Sequence, residues 1–409
     1  MTMTADTRRQ EVRALSELGL TELAKASAGV HETHRAVSDR VFAVVRRGLG
    51  TSVVPVKAMH DGVTDTVYRV ITGSTTTAGK VSGRVADLPL ASPVSSTTVG
   101  AGIIGVVNGL IGDELDGKQS PLTQENISIR VAGRPVTPDS AGLAAAFPRA
   151  TRRIAVYVHG LVETEHAWRV GQRTSAPYEH RLWANGVTNV FLRYNTGRRI
   201  STNGHDIAEL LDDLVRFWPT DVDEVILIGH SMGGLVLRSA SHHGHESGHV
   251  WTRKVTTTIC LGVPHLGAPL ENLAHHASAW LTARPETSAF GRLLRRRSGG
   301  IRDLRIGSLV DEDWADRDPD ELAAAIAAEI PLLPGAEHYF VSATVTRDPN
   351  HPLSRVIGDG LVLHQSAGGK NSTRHIGYNP DNGFHVGRSH HFSLLNDPQI
   401  GTRLVDWIG

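Results

Sequence analysis

Val225-Ile226-Leu227-Ile228-Gly229-His230-Ser231-Met232-Gly233-Gly234 is the stretch whose reading decides the fold. Four apolar, mostly β-branched residues read as a buried strand. The strand runs into Gly-x-Ser-x-Gly, and Leu235-Val236-Leu237 restarts an apolar pattern that suits a helix. Strand, sharp turn and helix make a nucleophile elbow, in which the serine is strained and its hydroxyl stands exposed at the carboxyl edge of a sheet. Gly229 and Gly233 fit because side chains there would collide with the crossing backbone. The alternative is a serine in an ordinary strand-to-helix turn.

Working outward, residues 154–158, 190–193, 225–228, 256–261 and 339–343 are strand candidates separated by helical patterns. Alternation of that kind implies parallel β-α-β units. Before them, residues 127–131 alternate as a half-buried strand does, and Ala132-Gly133 turns that strand into a hairpin with 134–137. Ile207, Leu210, Leu211, Leu214, Val215 and Trp218 form one apolar helical stripe closed by Pro219. Residues 1–125 have a different texture. Val37, Val41, Val44 and Val45, then Val63, Val67, Val70 and Ile71, fall at helical spacing, followed by Ser/Thr/Gly/Pro-rich loops. The expected architecture is an α/β fold. A mostly parallel central sheet flanked by helices spans residues 126–409, with a helical N-terminal extension over 1–125. An insertion over 270–334, between two core strands, is placed to cap the site. A helix is expected over residues 321–330, with Pro331 ending it.

Composition sets limits. The 42 Lys plus Arg balance 42 Asp plus Glu, so no net charge draws the chain to nucleic acid. The single cysteine, Cys260, reads as a buried strand residue and excludes an internal disulfide. Residues 1–10 are polar without an apolar core, so no secretory signal is read there and a cytoplasmic location is expected. The apolar stretch 99–111, interrupted by Asn108, is expected to be a buried helix too short to span a bilayer, with peripheral membrane contact as the other reading.

A serine hydroxyl needs a general base, and the base an orienting carboxylate. In this fold the chain order is serine, acid, histidine. After Ser231 the acid candidate is Asp359, in Gly358-Asp359-Gly360-Leu361-Val362. An Asp-Gly turn is also common without any catalytic role. The base candidates are His385, His390 and His391, ahead of Phe392-Ser393-Leu394-Leu395, which is expected to open a last helix running to Trp407. His391 is preferred because it abuts that helix; His390 is the runner-up. The oxyanion donors are the backbone N–H groups of Met232 and of Leu161, the latter in His159-Gly160-Leu161-Val162. His159, His230, Trp280 and Phe290 are the candidate substrate contacts. His242, His243, His245 and His249 are read as the exposed end of the helix after Ser231 rather than a metal site, and no metal or organic cofactor is expected. Arg198 or Arg199 could stand at the substrate mouth, or belong to an ordinary turn.

His159-Gly160-Leu161, Gly229-His230-Ser231-Met232-Gly233-Gly234, Gly262-Val263-Pro264-His265-Leu266-Gly267-Ala268-Pro269, Asp359-Gly360-Leu361-Val362 and His391-Phe392-Ser393-Leu394-Leu395 resemble the bacterial lipase/esterase branch of the α/β-hydrolases. They are similar also to GPI-inositol-deacylase-like members of that superfamily. The resemblance covers residues 126–409 and implies that Asp359 and His391 complete the triad with Ser231. The activity it implies is hydrolysis of a small-molecule or lipid carboxylic ester through an acyl-enzyme. An acyltransferase or thioesterase would use the same residues. A non-catalytic lipid-binding or membrane-associated scaffold is the reading from another class. The N-terminal helices and the long insertion are not common to short lipases, so substrate range does not transfer.

Overall fold

The computed structural model describes residues 2–23, 93–123, 127–171, 176–268, 298–315 and 327–409. Eight strands form one sheet in the order β2-β1-β4-β3-β5-β6-β7-β8. They are β1 (Ile127–Val131), β2 (Arg134–Val136), β3 (Arg153–Val158), β4 (Val187–Tyr194), β5 (Glu224–His230), β6 (Val255–Leu261), β7 (Glu337–Thr344) and β8 (Gly383–Gly387). The β1–β2 hairpin pairs antiparallel, and β1 meets β4 antiparallel. From β4 through β8 every pairing is parallel.

The central strands are buried on both faces, which is why they read as continuous apolar runs. Along β5, Val225 and Leu227 enter one core while Ile226 and Ile228 enter the other. The first core is closed by two helices, Ile200–Arg216 and Met232–Glu246, through Ile207, Leu211, Leu214, Leu235 and Val236. The second is closed by Tyr178–Ala184 and Pro398–Ile408, through Tyr178, Leu182, Ile400 and Leu404. Cys260 is a buried residue of β6.

Two expectations change. Strand β8 was not legible, because Gly-Phe-His-Val-Gly is short, glycine-bounded and at a sheet edge. The last helix does not open at Phe392: His391–Leu395 is a 3-10 turn, Asn396 leaves helical geometry (φ −152, ψ 43), and Pro398 starts the helix with Asp397 as its cap.

The described N-terminal residues form helix α1, Thr2–Leu23, and helix α2, Thr98–Gly117. At 20 residues and a mean hydropathy of 1.2, α2 is long and apolar enough to cross a bilayer, contrary to the expectation from residues 99–111 alone. Its small-residue face is nevertheless packed against protein. A Cβ on Gly109 would lie 2.4 Å from Val162 Cγ1, and one on Gly112 2.0 Å from Asn195 Oδ1. Asn195 also donates to Gly112 O at 3.0 Å, beside a break in helical geometry at Ile111. Ile104 and Leu115 of α2 share a separate apolar cluster with Leu122 and with Ala14, Leu15 and Leu18 of α1.

Of the insertion, residues 298–315 and 327–334 are described; Trp280, Leu281, Phe290, Leu294 and most of the expected helix over 321–330 lie outside the described residues. Its described end, residues 327–330, is not helical. Ser298 Oγ donates to Gly109 O (2.6 Å), Gly299 N–H to Asp113 (2.8 Å) and Gly300 N–H to Gly197 O (3.1 Å). A Cβ on Gly300 would lie 2.9 Å from Met232 Cε, so this short segment sits at the carboxyl edge of the strands, beside the elbow. Further on, Leu304, Leu309, Val310 and Leu333 join the core beneath Ile200–Arg216 and Met232–Glu246.

Candidate active site

Strand β5 ends at His230 and the next helix starts at Met232, which leaves Ser231 alone to reverse the chain. Ser231 takes φ 52, ψ −128, a conformation that an L-residue keeps only when its surroundings impose it. Its N–H is fixed by Leu261 O on the neighbouring strand at 2.9 Å. The crowding explains the glycines. A Cβ on Gly229 would lie 2.5 Å from Gly234 Cα, and one on Gly233 2.2 Å from Val158 O.

Asp359 sits on a loop after β7 whose turn is made by Gly358 (φ 62) and Gly360 (φ 102). One carboxylate oxygen accepts the N–H groups of Leu361 (2.9 Å) and Val362 (2.8 Å). The other accepts Nδ1–H of His391 at 2.8 Å, with both side chains at most 2% exposed. A second tie joins His391 N–H to Asp359 O at 3.1 Å. Burial pulls the His391 ring toward neutrality. The Asp359 charge and hydrogen bond, with the Glu163 charge behind them, outweigh it and hold the imidazole above its usual 6.5. Nδ1 is thereby fixed as the donor, and Nε2 is the nitrogen left to handle a proton. No hydrogen bond joins Ser231 Oγ to His391 among the described residues. The elbow and the base loop meet instead through His230, whose ring lies 4.7 Å from that of His391.

The third segment is the loop after β3. Its Leu161 N–H, like that of Met232 at the helix start, has no protein acceptor among the described residues. The loop is held tightly. Val162 takes φ 60, a left-handed conformation unusual for a β-branched residue, with its N–H on Thr196 Oγ1 (3.3 Å) and its side chain against Gly109 of α2. Gly160 faces Ser231 at van der Waals range, since a Cβ there would lie 3.0 Å from Ser231 Cβ.

Glu163 is the residue that sequence reasoning missed. Its Oε2 accepts Gly160 N–H at 2.6 Å and faces His230 Nδ1 at 3.1 Å. Burial would raise its carboxyl, but the His230 charge and hydrogen bond and the Gly160 N–H hold it below the usual carboxylate value. No sequence signal marks it, because the contact with His230 spans 67 positions.

Several candidates fall elsewhere. His159 is fully buried: Nδ1 bonds Gly160 O (3.0 Å), Nε2 meets Tyr194 N–H (3.4 Å), and the ring stacks on Tyr194. Burial pushes its pKa down to about 4, so the ring is a neutral strut for the loop rather than a substrate contact. His230 is equally buried, with both nitrogens engaged by protein. His385 bonds Ser342 and Thr344 (3.2 and 3.1 Å), apart from Asp359. His390 caps the 3-10 turn and points no bond at Asp359. His265 bonds Tyr378 and Arg238. Arg198 pairs with Asp116 and Asp206, and Arg199 with Asp303, so both arginines fasten α2 and the insertion to the body instead of facing a substrate mouth. His243 stacks on His205 at 3.5 Å.

A family model described as a PGAP1-like alpha/beta domain matches residues 156–288, a span that holds the elbow and the loop after β3. No curated protein matches. Among solved structures, the chain is similar to mature Bacillus licheniformis lipase BlEst2 at 19% identity, covering 63% of this chain and 91% of that one, TM-score 0.40. Pyrococcus furiosus esterase PF2001 follows at 13% identity, 63% and 82% coverage, TM-score 0.36. The metagenomic carboxyl esterase MGS0156 shares 14% identity over 75% of this chain and 89% of its own, TM-score 0.35. With a mostly parallel eight-stranded sheet flanked by helices and an elbow after β5, the chain has the α/β-hydrolase fold and resembles the PGAP1-like hydrolases over residues 156–288.

Proposed function

We propose that the protein is a serine-dependent carboxylic ester hydrolase working through Ser231, His391 and Asp359. The observation that carries the reading is the buried Asp359–His391 pair at 2.8 Å, with the His391 ring 4.7 Å from that of His230, the residue before the strained Ser231. Ser231 Oγ attacks the ester carbonyl carbon as His391 Nε2 takes its proton. The oxygen of the tetrahedral intermediate is received by the N–H groups of Leu161 and Met232. His391 then protonates the departing alkoxide, leaving an acyl-enzyme. Water attacks that acyl group, again giving its proton to His391, and the acid leaves with the serine restored. Asp359 keeps Nδ1 protonated throughout and stabilises the imidazolium.

The substrate proposed is an ester with an acyl chain or another apolar group, the class that the family resemblance implies. The insertion over 270–334 belongs to this proposal as a cap, and its described residues 298–303 lie at the elbow's edge. Labelling with a fluorophosphonate probe is the direct test: the wild-type chain is labelled and hydrolyses short p-nitrophenyl esters, and Ser231→Ala does neither. Labelling that persists in Ser231→Ala would reject the assignment.

A further inference from the structure

Glu163 and His230 lie where all three segments of the candidate site meet. The Glu163 carboxylate holds the loop after β3 through Gly160 N–H at 2.6 Å. His230 immediately precedes the nucleophile in the elbow, and its Nδ1 faces that carboxylate at 3.1 Å. Its Nε2 faces the backbone oxygen of His391, on the base loop, at 3.3 Å. Each ring nitrogen therefore faces only an acceptor, and a ring that satisfies both carries a proton on each. Both side chains are buried, His230 at 0% and Glu163 at 8% exposure, so the contact is shielded from water. Neither group has a place in the acyl-transfer chemistry, and removing one partner would leave the other buried and uncompensated.

We propose that the buried Glu163–His230 contact is a positioning clamp that fixes the Leu161 amide, Ser231 and His391 relative to one another. The inference rests on the ester-hydrolase reading above. Glu163 touches no reacting atom. It holds the loop through Gly160, next to Leu161, whose N–H must meet the oxygen as charge develops on it, and its charge also supports His391. A misplaced donor weakens the transition state far more than the bound ester.

Three measurements on the full chain test this. Glu163→Gln lowers kcat for a short p-nitrophenyl ester by about 10–100-fold with KM within about threefold, less than the ~10²–10³ for outright loss of an oxyanion donor. A trifluoromethyl ketone, whose adduct with the serine places an oxyanion in the hole, weakens in parallel with kcat. His230→Gln costs a similar factor, and Glu163→Gln/His230→Gln costs no more than the worse single change, since the two act as a unit. Wild-type kcat in Glu163→Gln, losses that multiply in the double variant, or a rise confined to KM would each overturn the clamp. So would a fall in melting temperature with unchanged activity per folded molecule. Failure of the underlying reading looks different: the wild-type chain itself would lack Ser231-dependent turnover and labelling.

Discussion

Replacing Asp359 with Asn keeps the shape of the side chain and removes its charge. In the protein, one carboxylate oxygen accepts two backbone N–H groups and the other accepts His391 Nδ1–H. An amide cannot serve both sides. Keeping its oxygen on the two N–H groups turns its NH2 toward His391. Nδ1 must then become an acceptor and the proton moves to Nε2, the nitrogen that should take the Ser231 proton. The charge term can be sized. With charge centres about 4 Å apart and an effective dielectric near 20, the imidazolium loses about 4 kcal/mol, or roughly three decades of rate. The wrong tautomer adds to this, so kcat should fall by about 10³–10⁴-fold, the upper figure being that of the analogous change in serine proteases. The pH profile gives an independent reading. His391 is held above 6.5 by Asp359 against burial, so wild-type kcat/KM rises with pH through a midpoint above 6.5, as the ring loses its proton. In Asp359→Asn the raising charge is gone and burial remains, so any residual activity should rise through a lower midpoint. The assay is p-nitrophenyl ester turnover from pH 5 to 9, per active site counted by the folded fraction. Turnover within tenfold of the wild type, or an unmoved midpoint, would refute the reasoning.

Ser231→Ala should lose at least ~10³-fold in kcat while remaining folded, checked by ester turnover and circular dichroism. His391→Ala should lose about as much, because base and nucleophile act as a unit, whereas His390→Ala keeps most activity; the pair is compared on one ester. Gly109→Ala should lower the melting temperature: its Cβ meets Val162 Cγ1 at 2.4 Å, and overpacking costs about 1–3 kcal/mol against about 1 gained in helix propensity. Val162→Ala in the same background should restore the loss, and thermal unfolding of both variants decides it.

The elbow with its candidate Ser231, the Asp-Gly turn of Asp359 and the parallel strands were legible because each carries a local signature, whereas the choice of His391 among three histidines rested on the family resemblance. A β-branched run, a glycine-framed serine and an Asp-Gly turn are dictated by sterics within about ten residues, and buried parallel strands announce themselves as unbroken apolar runs. The short edge strand β8 and the break at Asn396 lacked such a signature. What only the tertiary structure decided lies in contacts between distant segments. It made His159 a buried strut, because β4 brings Tyr194 against it. It turned Arg198 and Arg199 into ion-pair anchors for α2 and the insertion. It brought Glu163 to His230 across 67 positions. It also laid α2 on the loop that carries Leu161, through glycines whose spacing alone could not name their partner. Burial and charge pairing are properties of neighbours in space. The sequence determines which chemistry is present and in what order, and the packing of the sheet edge determines which of those groups face one another.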